Sequence, residues 1–192
     1  MDAASELFEK HGLAAVTIDA LVERAGVAKG TFYVHFDDRQ AFLREVHRDL
    51  HQRLADAIAA ACESLPAGLE RLDRGIEAYL DGCLAERGRK ALLFDARSET
   101  ALSEDVARQN DSFSRRVAAD LRAARHPQPL AAARLVVAMA AETAFHEMRS
   151  GKRDAALRSA LRHLVDASAK VAHDRGGSEG RGPSRPRRSI AT

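Results

Sequence analysis

The sequence has no tryptophan, only two cysteines and five prolines among 192 residues, and an aromatic content of 5%. The two cysteines, Cys62 and Cys83, provide neither a disulfide framework nor the spacing of a metal site, so we expect reduced thiols in the cytoplasm. β-Branched residues rarely cluster, whereas alanine, leucine, arginine and glutamate are abundant. Because these are mostly strong helix formers, the composition predicts an all-α protein.

Long apolar runs and a strong net charge are also missing. No apolar run approaches the ~20 residues that a membrane-spanning helix needs. We also expect no signal peptide, because the sequence does not show the basic and then apolar segment of one. The net charge is +2, and residues 1–54 contain seven Lys and Arg against nine Asp and Glu. A surface that binds nucleic acid must therefore be local.

The first 36 residues predict three short helices. The first spans residues 2–11, and Thr17 is expected to cap the second, which Gly26 ends.

After this turn, Val27 is expected to pack inward. A third helix opens at Ala28 or Lys29, with Phe32 and Phe36 on its apolar face and polar side chains on the other side. Two helices joined by a glycine turn are typical of a helix-turn-helix, whose second helix enters the major groove of DNA.

A set of residues at fixed offsets connects these helices. It consists of Ala4-Ser5-Glu6-Leu7-Phe8, Gly12, Thr17, the stretch AGVAKGTFYVHF at 25–36, and Arg39. The set resembles the N-terminal signature of the TetR/AcrR-type transcriptional repressors. Because so many positions agree across about 40 residues, the resemblance is specific for this part of the chain.

The resemblance implies a DNA-binding surface made by the start of the second helix, the third helix and the start of the fourth. Its expected residues are Thr17, Ala28, Lys29, Gly30, Thr31, Tyr33, His35 and Arg39. Lys29 can donate to guanine or to a phosphate, and Thr31 can contact a thymine methyl group. The alternative is a small three-helix unit with a polar outer face and no DNA contact.

In the family, the tyrosine and histidine at Tyr33 and His35 commonly hold phosphates. Gly30 either admits the DNA backbone or tolerates a tight helix start, and Thr17 either helps to anchor a phosphate or only caps its helix. Family members usually carry a further basic segment before this signature. Either the native start lies upstream of Met1, or this N-terminal domain is less stable than the corresponding domain of its relatives.

The rest of the pattern predicts six more helices, about nine in all. They are expected at 38–63, 69–88 and 89–100, from a cap at Ser103 to a break at His126, and at 130–150 and 153–173. We divide the chain into a helix-turn-helix domain (1–46, the head), an effector-binding and dimerisation domain (47–175, the body) and a disordered basic tail (176–192).

By resemblance to the family, the helical body encloses an effector pocket and forms a homodimer through helices 130–150 and 153–173, packed with their mates as a four-helix bundle. The candidate pocket residues are Tyr79, Cys83, Phe94, Arg97, Phe113, Met139, Glu142, Phe145 and His146. Ordinary core packing also explains each of them. Glu142 and His146 have two further alternatives, pairing with Arg97 or Arg134 and contact across a subunit interface.

No constellation for catalysis or metal binding is present in the sequence. His47 and His51 are four residues apart, but no third ligand follows by local spacing, and we expect them on a solvated helix face. A nucleophile with its base, a phosphate-binding glycine loop and paired carboxylates are lacking, so neither an enzyme nor a cofactor is expected.

The sequence thus predicts a ligand-responsive repressor that binds a palindromic operator as a dimer and releases it when a small molecule enters the body. The alternative is a ligand-binding or protein-interaction module of the same fold with weak or lost DNA binding.

Overall fold

A computed structural model describes residues 2–11, 13–96 and 100–177. Within these ranges, all regular secondary structure is helical. The elements are α1 (Asp2–His11), a 3₁₀ turn (Leu13–Ala15), α2 (Ile18–Ala25), α3 (Lys29–His35), α4 (Arg39–Cys62), α5 (Leu69–Ala85), α6 (Arg87–Ala96), α7 (Thr100–Ala123), α8 (Pro129–Ser150) and α9 (Ala155–Gly177). The prediction of an all-α fold with about nine helices is confirmed.

The ends of the first helices follow from the expected capping residues. The Thr17 hydroxyl accepts a hydrogen bond from the backbone N–H of Ala20 at 3.2 Å and caps α2. Gly26 ends α2 with a φ of +68°, a left-handed conformation that glycine adopts without strain. The Asp38 carboxylate caps α4 by accepting from the N–H of Ala41 at 2.6 Å.

Three local expectations are wrong. Helix α5 ends at Ala85 and not near Gly88, because the single non-helical residue Glu86 already separates it from α6. Ser103 is not a cap, since α7 is already helical at Thr100. Val27, which the pattern placed inside, is exposed; neighbouring apolar side chains of α2 and α3 fill the interior at this turn.

An aromatic cluster holds α3 against the start of α4. The ring centroids of Phe32, Phe36 and Phe42 lie 5.2–5.9 Å apart, at distances typical of favourable aromatic pairs. Arg39 adds a polar connection, because its Nε donates to the backbone carbonyl of Val16 at 2.6 Å. These contacts fix which face of α3 points outward.

Two helices, α4 and α6, connect the body with the head. Helix α4 extends from the aromatic cluster into the body, where it packs on α5, and α6 contacts α1 as well as α4. Helices α7 and α8 pack against each other along their lengths. Leu50, Leu54, Leu80, Leu92 and Leu121 are fully buried between these elements. A displacement of α4 or α6 in the body would therefore change the contacts that these helices make with the head.

A buried ion cluster attaches α9 to α8 and α5. The Arg158 guanidinium donates from Nε and Nη2 to the two carboxylate oxygens of Glu147 at 2.7 and 2.6 Å. Its Nη1 donates to Glu77 at 2.8 Å and to Asp81 at 2.6 Å. Burial alone would raise the pKa of Glu147, but the hydrogen bonds from Arg158 and from the N–H of Asp154 outweigh it and lower this pKa. The cluster is thus ionised and internally paired.

Candidate nucleic-acid interface and internal cavity

The outer face of α3 presents polar and apolar side chains to solvent. Phe32 points into the head, and this leaves Thr31, Tyr33 and His35 exposed on the other sides of the helix. Val34, which the sequence did not single out, has 79% of its surface exposed. Its signal was its position two residues from both Phe32 and Phe36, on the side of the helix opposite to these rings. This face offers hydroxyl, imidazole and aliphatic groups at one surface.

Lys29 opens α3, and an acidic residue of α2 engages its side chain. The Lys29 ammonium lies 2.6 Å from a carboxylate oxygen of Asp19, and the hydrogen bond and charge of Asp19 raise the pKa of Lys29. Both side chains are largely exposed. Solvent-exposed ion pairs are weak, so a phosphate can replace Asp19 as the partner of Lys29.

The other expected interface residues have different surroundings. Ala28 is the N-cap residue of α3 and supplies no capping side chain. A Cβ atom built on Gly30 would meet no atom within 4 Å, and its backbone is helical, so neither strain nor crowding within the described chain requires glycine here. Thr17 caps α2, and the Nε of Arg39 is bound to Val16.

A cavity of about 630 Å³ lies inside the body, between α4, α5, α6, α7 and α8. Its wall is mainly aliphatic and aromatic. Of the residues expected in a pocket, those that line it are Tyr79, Phe94, Phe113, Glu142 and Phe145. The rings of Phe94 and Phe145 are stacked with their centroids 3.8 Å apart, and they connect the α6 wall with the α8 wall.

The remaining pocket candidates lie elsewhere or are not described. Cys83 is fully buried in the core, Met139 packs against the core, and neither lines the cavity. His146 is exposed, because it lies on the outer side of α8, where its Nε2 is 3.3 Å from a carboxylate oxygen of Asp154. Arg97 falls outside the described residues.

Two histidines of α4 line the cavity, in contrast to the solvated face expected for them. His47 is only 6% exposed, and its ring centroid is 4.3 Å from that of His51. Nε2 of His47 and Nδ1 of His51 are buried without a hydrogen-bond partner in the described part of the chain. Burial lowers the pKa of His47 and, with the nearby charges of His47 and Lys90, lowers that of His51 to about 3. Both imidazoles are therefore neutral near pH 7.

Lys90 of α6 also lines the cavity, and the sequence reasoning missed it. Its Nζ is 3.4 Å from the hydroxyl oxygen of Tyr79 and 5.7 Å from the centroid of the same ring. A lysine next to the apolar run Leu92-Leu93-Phe94 was the available signal. Burial, followed by the effect of Cys83, raises the pKa of Tyr79, so its hydroxyl stays protonated.

The described residues include no group of three or more His, Cys, Asp or Glu side chains arranged to hold a metal ion. Among the helices that the structure describes, none combines the length and the apolar character needed to cross a membrane.

Helices α2 and α3, joined by a glycine turn and with α3 exposed, place this all-α protein in the class of helix-turn-helix proteins. Comparison with known proteins is specific about the head. Residues 1–46 match the family described as "Bacterial regulatory proteins, tetR family". The chain carries the helix-turn-helix domain of the tetR family.

Curated relatives match the N-terminal part of the chain. The HTH-type transcriptional regulator EthR of Mycolicibacterium smegmatis is 33% identical over 79 residues, which are 41% of this chain and 36% of that protein. The HTH-type transcriptional regulator TtgR of Pseudomonas putida is 36% identical over 75 residues, 37% of this chain and 35% of that protein. The match thus spans about a third of the length of these relatives.

Solved structures match almost the whole chain at low identity. A TetR-like transcriptional regulator from Rhodococcus sp. RHA1 aligns with a TM-score of 0.68 and 20% identity, covering 94% of this chain and 93% of that one. A tetR family transcription regulator from Shewanella sp. PV-4 gives 0.68 and 20%, with 85% and 92% covered. The body therefore has the same fold as these regulators, at low sequence identity.

Proposed function

We propose that this protein is a ligand-responsive transcriptional repressor, and not an enzyme, that binds a palindromic operator as a homodimer in the cytoplasm. The observation that carries the proposal is the tetR-family head with an open outer face of α3. The internal cavity supplies a place for a small-molecule effector of the kind that protein pockets of several hundred Å³ accommodate.

On DNA, α3 would enter the major groove. Tyr33 and His35 would bind phosphates and set the position of the helix, while Lys29, Thr31 and Val34 face base edges. Thr17 and Arg39 would hold the flanking helix starts, with any phosphate contact added to the bonds that they already make. The open space around Gly30 supports a close approach of the DNA backbone, because nothing in the described part of the chain requires glycine there.

A homodimer would form through α8 and α9. Leu135 of α8 is 67% exposed and Leu164 of α9 is 58% exposed, and such side chains are suited to a partner's apolar face. A second copy packed on this face would give a four-helix bundle with two-fold symmetry. The two α3 helices would then meet half-sites about one DNA turn apart.

Helices α4 and α6 would transmit the effector signal. Both line the cavity, through His47, His51 and Lys90. Helix α4 also packs on α3 through Phe42, and α6 contacts α1. A ligand that favours one position of these helices changes the spacing of the two heads, and its binding energy is then coupled to operator affinity.

An electrophoretic shift assay with DNA from around the protein's own gene, at low and moderate salt, tests the proposal. Tyr33→Ala and His35→Ala should weaken binding to every sequence, and Lys29→Ala should also relax base preference. Gly30→Ala should fold at least as well, because alanine favours helix, yet bind DNA more weakly. Unchanged affinity in all four variants would remove the basis for the assignment.

The alternative is a module of the same fold that has lost DNA binding. The contact between Lys29 and Asp19, together with the net acidic head, is the observation in its favour. Absence of any shift at low salt, with the cavity still able to bind ligand, would select this alternative.

A further inference from the structure

One end of the cavity collects hydrogen-bonding groups from three helices. His47 and His51 come from α4, Tyr79 from α5 and Lys90 from α6. Phe113 of α7 stands beside them, with its ring centroid 6.0 Å from those of both His51 and Tyr79. We call these four hydrogen-bonding residues the basic end of the cavity.

Lys90 brings a positive charge to this end, and no carboxylate in the described part of the chain pairs with it. It contacts the Tyr79 hydroxyl and the Tyr79 ring. Within residues 2–11, 13–96 and 100–177, no carboxylate oxygen lies within the 4.0 Å that would make an ion pair with it. A partly buried ammonium in such surroundings is costly unless an anion joins it.

The acidic groups of the cavity wall do not neutralise Lys90. Asp120 is already bound, since it accepts from Arg71 at 2.7 Å and from the backbone N–H of Gly68 at 3.1 Å. Glu142 is exposed on α8. Arg116 adds a further positive charge to the lining. The cavity interior thus favours a negative group near Lys90.

The two imidazoles add donors rather than charge. Each neutral imidazole carries one N–H and one acceptor nitrogen, and one nitrogen of each ring is buried without a partner in the described chain. A protonated pair would repel both Lys90 and each other. Neutral N–H groups beside an ammonium suit an acceptor-only group with two oxygens.

Away from the basic end, the wall is apolar. Leu72 and Ile76 of α5, Val137 of α8 and the stacked pair Phe94 and Phe145 face the space. These surfaces bind the hydrocarbon part of a ligand by excluding water from it. The ligand must therefore combine a polar end with an apolar body.

We infer that the cavity binds an apolar molecule ending in a carboxylate, which accepts hydrogen bonds from Lys90 and from an imidazole N–H of His51. The inference rests on the proposed function, because it names the chemical class of the effector. A neutral head group would leave Lys90 without a counter-charge, and a cationic one would be repelled by it.

Calorimetric titration of the full chain at pH 7.5 with decanoate, decan-1-ol and decylammonium tests the inference, since the three probes share one apolar body. Decanoate should bind at least tenfold more tightly than decan-1-ol, because its hydrogen bonds are charge-assisted. Decylammonium should bind most weakly. Equal affinities, a preference for the alcohol or amine, or no binding of decanoate would overturn the inference.

Two variants of Lys90 and one control assign the preference to the basic end. Lys90→Met, and Lys90→Gln as a polar substitute, should lose at least tenfold in decanoate affinity and keep decan-1-ol within about twofold. Lys152→Met removes an exposed lysine outside the cavity and should change neither. If both Lys90 variants keep the wild-type preference, the assignment is wrong. DNA shifts measured without any ligand report on the proposed function independently.

Discussion

Two clusters of polar groups inside the body, both built partly on α5, contrast in how they are satisfied. Around Arg158, each nitrogen of the guanidinium donates to a carboxylate oxygen of Glu147, Glu77 or Asp81. Around Lys90, the ammonium has a phenol hydroxyl for a partner, and nearby imidazole nitrogens have none in the described chain.

The difference separates a structural role from a binding role. A buried charge is tolerated when its pairing and hydrogen bonds offset the loss of water. The Arg158 cluster achieves this with its own side chains, so it holds α9 in place without help. At the basic end of the cavity, the described side chains do not provide such pairing, so a bound ligand would add the most stabilisation there. Substitutions in the two clusters should therefore have opposite consequences.

The largest effect is expected from Arg158→Met. It leaves Glu147, which is 0% exposed, as a buried carboxylate without its ion pair, bound only by the N–H of Asp154 among the described residues. Removing one partner of a buried ion pair typically costs about 3–5 kcal/mol, and we expect a loss of this size in the free energy of unfolding. Urea denaturation followed by circular dichroism measures it.

Arg162→Met is the matched control on the same helix. Arg162 binds Asp73 at 2.7 Å and Glu77 at 3.0 Å, but it lies at the surface. Because water screens such pairs, its substitution should change stability much less. If the two variants lose equal stability, burial does not distinguish the clusters and the comparison fails.

A smaller, pH-dependent effect should come from His51. Its pKa is about 6.5 unfolded and about 3 folded, so the unfolded chain binds a proton that the folded chain excludes between these values. Folding stability should consequently be complete above pH 6.5 and fall as pH decreases, by at most about 1.4 kcal/mol per pH unit from this group.

Urea midpoints at pH 7.5, 6 and 5 for the wild type and His51→Leu isolate this contribution. The variant should lose less stability on acidification than the wild type. Glu147 does not interfere, because its lowered pKa means that its own contribution is lost only below about pH 4.5. Parallel curves for the two proteins would show that His51 is not kept neutral by burial.

The smallest effect should be that of Lys90→Met on the ligand-free protein. No described ion pair is broken, and the methionine keeps most of the apolar stem in contact with the cavity wall. Stability should stay within about 0.5 kcal/mol of the wild type, or rise. A loss above about 2 kcal/mol in thermal or urea unfolding would mean that Lys90 has a structural partner, and the contrast with Arg158 would not hold.

Much of the head could be predicted because its signals are local. Thr17, Gly26 and Asp38 end or begin helices through bonds to residues within four positions. The exposed face of α3 follows from the spacing of Phe32 and Phe36 alone. The contact of Lys29 with Asp19 was not predictable, because it depends on how α2 and α3 cross.

The cavity was predicted only in part. Aromatic residues such as Phe113 and Phe145 were expected there and line it, but for each one the sequence favoured ordinary core packing. Two pairs at i, i+4 spacing, His47 with His51 and Glu142 with His146, show why the lining could not be predicted further. His47 and His51 were expected in solvent, but His47 is buried and His51 is half-buried, whereas His146, expected on an apolar helix, is exposed. Spacing places two residues on one face but does not say what covers that face.

The sequence by itself determined most of the helices, the caps at Thr17, Gly26 and Asp38, and the tetR-family head. These depend on residues one or two turns apart or on a signature of fixed offsets. Only the tertiary structure decided which charges are paired and where the cavity lies. Arg158 meets Glu77 from 81 residues away, and the cavity wall draws on five helices. Burial and pairing depend on which residues are neighbours in space, and the pattern of residues along the chain does not specify these neighbours.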